Sequence, residues 1–178
     1  MTDRMHANPA APRGIVAGRR AHLRWLLLAV LLPAQGALAA EYTGRVVSVQ
    51  SGDALTVQVS QQQIAVRLSD IDAPEDGQAY GKQSRQSLAQ LCENKNARVR
   101  TTGKDRSGRA LGRVVCATVD VNVEQVRRGM AWVYDRRVKD RSLYDFQDEA
   151  RSAQRGLWAE PKPTAPWDWR RIHRRAEP

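Results

Sequence analysis

Asp53, Arg67, Asp72, Glu75 and Arg109 bring three carboxylates and two guanidiniums into one domain-sized stretch, each within a distinctive short motif. The motifs read Gly52-Asp53-Ala54, then Val66-Arg67-Leu68-Ser69-Asp70-Ile71-Asp72-Ala73-Pro74-Glu75, then Asp105-Arg106-Ser107-Gly108-Arg109-Ala110-Leu111-Gly112-Arg113. Such a set suits attack on a phosphodiester. That reaction needs a hydroxide-like nucleophile, relief of the charge that builds on the phosphorus oxygens, and help for the departing alkoxide. A hard divalent cation neutralises the phosphate and polarises its P–O bond, and Ca²⁺ or Mg²⁺ takes carboxylate and carbonyl oxygens rather than His or Cys. Asp53 and Asp72 supply such oxygens, beside turns that add backbone carbonyls. Arg67 and Arg109 offer bidentate, charge-assisted hydrogen bonds that strengthen as negative charge develops. Glu75 follows Pro74, whose fixed φ limits where the carboxylate points.

Each residue also has a plainer use. Gly-Asp makes a good hairpin turn in its own right, and Asp72 reads equally as a solvated loop charge like Asp70. Arg67 shares with Ala65 the strand face opposite Ile64, Val66 and Leu68. A face turned away from the core is also the face a ligand would use.

The elements that must position these residues follow from the apolar pattern. Val46, Val47 and Val49 mark a first strand, Leu55, Val57 and Val59 a second, and Ile64, Val66 and Leu68 a third, with turns at Gly52-Asp53 and at 60–63. A polar loop leads to a helix over about 79–93, carrying Leu88, Leu91 and Cys92 at helical spacing and stopping near Asn94. Val99, and then Leu111, Val114 and Val115, mark two further strands. Asn122 and Gln125 have capping-box spacing ahead of a short helix that Gly129 would close. A third helix is expected over 142–155, with Phe146, Ala150 and Ala153 on one face and Gly156 after it. Five short strands with a helix inserted after the third predict an α+β domain with a mainly β core, a five-stranded OB-fold barrel with about three packed helices.

Over roughly Tyr42 to Trp158 the order and spacing of these motifs resemble the staphylococcal nuclease (thermonuclease) family. The resemblance implies the same barrel, and calcium held by Asp53, Asp72 and the carbonyl of Ala73. It implies a catalytic set of Arg67 and Arg109 on the phosphate and Glu75 activating or positioning the attacking water. The expected activity is a nuclease of low sequence specificity on DNA, with RNA as a further substrate, leaving 3′-phosphate ends. Two positions depart from the family pattern. Ser51 stands where the family has its first aspartate, and Arg106-Ser107 replaces a basic residue and tyrosine before the second arginine. Tyr134 falls near the family's nucleotide-contacting tyrosines; Trp132 reads more readily as packing, and Tyr80 is left outside the site.

The first 39 residues read as a signal peptide. Arg13, Arg19, Arg20 and Arg24 precede an apolar run from Trp25 to Leu32, followed by Pro33 and the cleavage pattern Ala37-Leu38-Ala39. The run is far short of the ~20 residues a spanning helix needs, so stable membrane insertion is not expected. Gly18-Arg19-Arg20 loosely resembles a twin-arginine export signal, which leaves both export routes open. The expected organisation is an exported (periplasmic or secreted) monomer with a nuclease-like domain over 40–160 and a basic, Pro- and Trp-rich tail over 161–178. Removing residues 1–39 takes five Arg and one Asp, leaving 24 basic and 18 acidic residues and lowering the net charge from +10 to +6. That surface favours polyanions without identifying one. In an oxidising compartment Cys92 and Cys116 favour a disulfide over two buried thiols, and without a CxxC or nearby His a zinc site is not expected.

Two other classes fit parts of this pattern: a non-catalytic OB-fold binder of single-stranded nucleic acid, and an adhesion protein gripping polyanions through its Arg-rich tail. The binder has no use for three carboxylates beside two arginines, since carboxylates repel phosphate unless a metal intervenes.

Overall fold

A computed structural model of the chain describes residues 40–176. The expected signal peptide of residues 1–39 lies outside the described residues. Strands β1 (Glu41–Ser51), β2 (Ala54–Val59) and β3 (Gln62–Leu68) form the meander that the alternating apolar residues predict. A two-residue strand β4 (Ile71–Asp72) precedes helix α1 (Gly81–Cys92), and β5 (Asn96–Lys104) and β6 (Ala110–Cys116) follow. Then come β7 (Val119–Asp120), α2 (Val121–Arg127), β8 (Trp132–Val133), α3 (Leu143–Ser152), a 3₁₀ turn over Gly156–Ala159, and α4 (Pro166–Ala176).

The main sheet runs β3-β2-β1-β5-β6-β7 with antiparallel neighbours, and β3 also pairs parallel to β6. That last pairing, Val66 with Ala110 and Arg67 with Leu111, closes five strands into a mixed barrel. The fold is therefore the expected OB-type α+β barrel, with four helices rather than about three. Val46, Leu55, Val57, Val66, Leu68, Val99 and Val114 point into the barrel and are fully buried, with Leu88 and Cys92 of α1 packed against them. Alternation puts Ala65 and Arg67 on the other face of β3, as a period of two requires.

Three local expectations change. Asp120, not Asn122, caps α2: its carboxylate accepts from the backbone N–H of Asn122 and Val123. Asn122 and Gln125 are instead buried, at 1% and 0% exposure. The inner face of α3 is Leu143, Gln147 and Ala150, while Phe146 is half-buried and Ala153 exposed. Gln147 goes inward because its Oε1 accepts the N–H of Val133 in β8, a partner no helical periodicity reveals. The basic tail contains α4, whose Trp167 packs its ring 5.8 Å from Trp132 and 5.5 Å from Tyr134. The helix stops were well signalled: Asn94 and Gly129 both take left-handed φ just past α1 and α2.

Cys92 and Cys116, 24 positions apart in sequence, form a disulfide that joins the end of α1 to the end of β6. Closing a loop of that length restricts the unfolded chain by about 3 kcal/mol. Replacing both cysteines with alanine should lower the unfolding free energy by roughly that amount, measured as a shift of the urea midpoint; excess reductant should shift the unmutated protein equally.

Candidate active site

All the strand ends that carry the motif residues meet at one end of the barrel. Asp53 sits in the tight turn from β1 to β2, Arg67 near the end of β3, Asp72 in β4, and Arg109 one residue before β6. Because Arg67 pairs with Leu111, barrel closure itself carries the Arg109 loop to the side of β3.

The turn at Gly52-Asp53 is fixed from three directions. A Cβ on Gly52 would lie 1.7 Å from the Ser84 hydroxyl of α1, so only glycine fits. The Gly52 carbonyl accepts from the Gln125 side-chain amide at 2.7 Å, and the Asp53 carbonyl from the Leu68 N–H at 2.8 Å. Asn122 does the equivalent for the next loop, donating to the Ser69 carbonyl at 2.9 Å and accepting the Val114 N–H at 3.0 Å. Asn122 and Gln125, whose spacing suits a capping box, are instead supports of the site. Asp70 is a loop anchor: its backbone carbonyl and side chain accept from the N–H groups of Tyr134 and Lys139.

The carboxylates themselves form one charged cluster with arginines. An Arg67 Nη2 nitrogen lies 2.6 Å from Asp72 Oδ1 and 2.9 Å from Asp53 Oδ2. Asp53 Oδ2 also accepts the Ala73 N–H at 2.8 Å, and Asp53 Oδ1 accepts the Ser51 hydroxyl at 2.8 Å. Ser51, where the family pattern has an aspartate, thus contributes a donor in place of a charge. Asp53 and Asp72 are 3% and 1% exposed. Burial raises the Asp53 carboxyl above its ordinary pKa and Asp72 adds to this, while Arg67, the Ala73 N–H and Ser51 pull it back.

A residue that sequence reasoning did not place here completes the cluster. Arg170 of α4 donates from Nη2 to Asp72 Oδ2 at 2.6 Å, from Nη1 to Asp72 Oδ1 at 3.2 Å, and from the same Nη1 to Glu75. Burial alone would lower the pKa of its guanidinium; the hydrogen bonds to Asp72 and Glu75 outweigh that and push it up. The only sequence signal for it was a cluster of arginines in the tail.

Arg109 stands apart from this network. Its Nε donates to Asp105 Oδ2 at 2.7 Å, and the Asp105 carboxylate also accepts the N–H groups of Ser107 and Arg109, closing the loop. Burial would raise Asp105; these donors, the Arg109 side chain foremost, hold it below the usual carboxylate value. Arg109, Arg67 and Asp72 nonetheless line one cleft of about 750 Å³, together with Tyr134, Trp167 and Arg170. Trp132 is packed edge-on to Trp158 at 4.4 Å, in line with its expected packing role.

Among the described residues no three His, Cys, Asp or Glu side chains form a ready metal cage. The donors present still suit a hard cation. One Arg67 nitrogen touches both aspartates and one Arg170 nitrogen touches both Asp72 and Glu75, so carboxylate oxygens already converge on positive charge. Asp53 and Asp72 would hold Ca²⁺ or Mg²⁺ with carbonyl and water oxygens completing the shell.

Fold and site define a class: a small OB barrel with a cationic cleft and a buried carboxylate cluster at one end. Comparison with known proteins makes this specific. The staphylococcal nuclease homologue family model matches residues 65–160. Micrococcal nuclease of Shigella flexneri is 39% identical over 176 residues, covering 92% of this chain and 98% of its own. An uncharacterized endonuclease of Escherichia coli O157:H7 is 42% identical over 134 residues, 75% of this chain and 88% of its own. Protein ParB of Escherichia coli is 40% identical over 155 residues, 81% and 87% of the two chains. The chain belongs to the staphylococcal nuclease family, and is a phosphodiester hydrolase acting on nucleic acid.

Gln125→Leu should expose how far the site leans on α2. It leaves the buried Gly52 and Ser84 carbonyls without their amide donor, at a cost of about 1–3 kcal/mol in unfolding free energy. Urea denaturation of the variant measures it, and no change in midpoint would refute the anchoring role.

Proposed function

We propose that this protein is an exported, calcium-dependent nuclease that cuts DNA, and RNA as a further substrate, with little sequence specificity and leaves 3′-phosphate ends. The observation that carries this reading is the convergence of Asp53, Asp72 and Glu75 on Arg67 and Arg170, with Asp72 and these arginines lining a basic cleft that Arg109 shares. The organisation that goes with it is a signal peptide over 1–39, a nuclease domain over 40–160 and a basic tail over 161–178.

Asp53 and Asp72, with the Ala73 carbonyl, would hold a calcium ion. When bound, that ion supplies Lewis-acid polarisation of the phosphate and charge neutralisation. Arg67 and Arg109 grip non-bridging oxygens from two sides of the cleft, and their hydrogen bonds strengthen as charge builds in the transition state. Arg67, whose Nη2 bridges both aspartates, would offer the rest of its guanidinium to the substrate. Glu75 orients a water for in-line attack and takes its proton. The water oxygen bonds to phosphorus as the bond to the 5′-oxygen breaks, the departing 5′-oxygen takes a proton from solvent, and the phosphate stays on the 3′ side. Tyr134 and the cationic residues along the cleft steer the nucleotides that flank the scissile bond.

Incubating the purified protein with single-stranded DNA and millimolar Ca²⁺ should yield 3′-phosphate fragments, and EGTA should stop the reaction. Glu75→Gln and Arg109→Ala should each keep the fold by circular dichroism, while losing one preorganised group costs about 2.7–4 kcal/mol of barrier, some 10²–10³-fold in kcat. DNA retention without cleavage under any divalent ion would instead favour the non-catalytic binder.

A further inference from the structure

Arg170 reaches the carboxylate cluster from 98 residues beyond Asp72 and 95 beyond Glu75. It lies on α4, outside the 65–160 span matched by the family model. The contact is not that of a loose tail. Trp167 packs against Tyr134 and Trp132, Trp169 lies beside Gly77, and the Gln78 side-chain amide donates to the Thr164 carbonyl at 2.6 Å. This docking aims Arg170 at a fixed place.

The guanidinium uses both oxygens of Asp72, and one of its nitrogens also serves Glu75. Asp72 Oδ1 additionally accepts from Arg67. A divalent cation that takes Asp72 as a ligand needs one of those oxygens, and at such short range it repels any guanidinium still bound there. The two cations therefore compete for one buried carboxylate.

We propose that Arg170 is a further positioning residue of the hydrolytic site: it neutralises and orients Asp72 and Glu75 in the cation-free protein, and must release Asp72 before a divalent cation binds. It thereby sets the cation affinity from outside the ligand set. This inference rests on the calcium reading above.

Calorimetric titration of Ca²⁺ into purified protein without nucleic acid tests it directly. R170Q should bind Ca²⁺ roughly tenfold more tightly than the unmutated protein, the size expected for lost charge-assisted hydrogen bonds. R171Q removes the same charge from the same helix, but Arg171 is mostly exposed and pairs with Asp168; its Kd should stay within about twofold. R170K, which keeps a charge but lacks the two-pronged fork, should fall between. In EGTA, R170Q should melt below the unmutated protein, and saturating Ca²⁺ should close that gap; a merely structural arginine would lower the melting temperature equally with and without Ca²⁺. An unchanged or weaker Ca²⁺ affinity in R170Q, against measurable binding by the unmutated protein, overturns the proposal. Absence of Ca²⁺ binding by both proteins sinks the calcium reading and this inference with it.

Discussion

The parallel pairing of β3 with β6 is the constraint on which the rest of the molecule depends. Without it the five strands form an open sheet with two free edges, and Arg67 and the Arg109 loop lie at opposite margins of that sheet. With it the sheet becomes a barrel whose interior takes the Val and Leu side chains of every strand. Two arginines more than forty residues apart then face the same cleft. The pairing spans only Val66–Leu68 and Ala110–Gly112, so it needs help. The disulfide ties the far end of β6 to α1, and Asn122 bridges the Ser69 carbonyl and the Val114 N–H beside it.

The second organising fact is electrostatic. Asp53 and Asp72 are nearly inaccessible to water, and two like charges so placed are tolerable only if cations or donors compensate them. Arg67 touches both, Ser51 and the Ala73 N–H satisfy Asp53, and Arg170 covers Asp72. In the proposed mechanism Arg67 is thus counter-ion and substrate contact in one side chain. The protein cannot refine one role without touching the other, because removing a partner from a buried charge pair is far more costly than losing a surface pair.

Much of this was legible in the sequence, for physical reasons that also mark where legibility ends. Residues alternating with period two announced β1, β2 and β3, and the Gly52-Asp53 turn and the outward face of Arg67 followed from the same period. The three carboxylates and two arginines stand out because each lies in a short motif. Arg170 does not: it lies in a basic tail behind Pro161, Pro163 and Pro166, and the contacts that hold α4 reach side chains such as Tyr134 and Gln78 that are remote in the chain. Asn122 and Gln125 mislead for the opposite reason. Their spacing satisfies a local rule, whereas their partners, Ser69 and Gly52, lie 53 and 73 residues away. Ser51 reads as a lost carboxylate until its hydroxyl is found on Asp53.

The antiparallel course of β2 has a practical side. Its first residue follows Asp53 and its last, Val59, leads into the exposed turn at Ser60-Gln61. Six residues of extended chain separate the two ends, about 20 Å at the rise of a strand. Cargo joined at Ser60, such as a dye, an affinity handle or a targeting module, would hang from the floor of the barrel while the cleft stays open to long polymers.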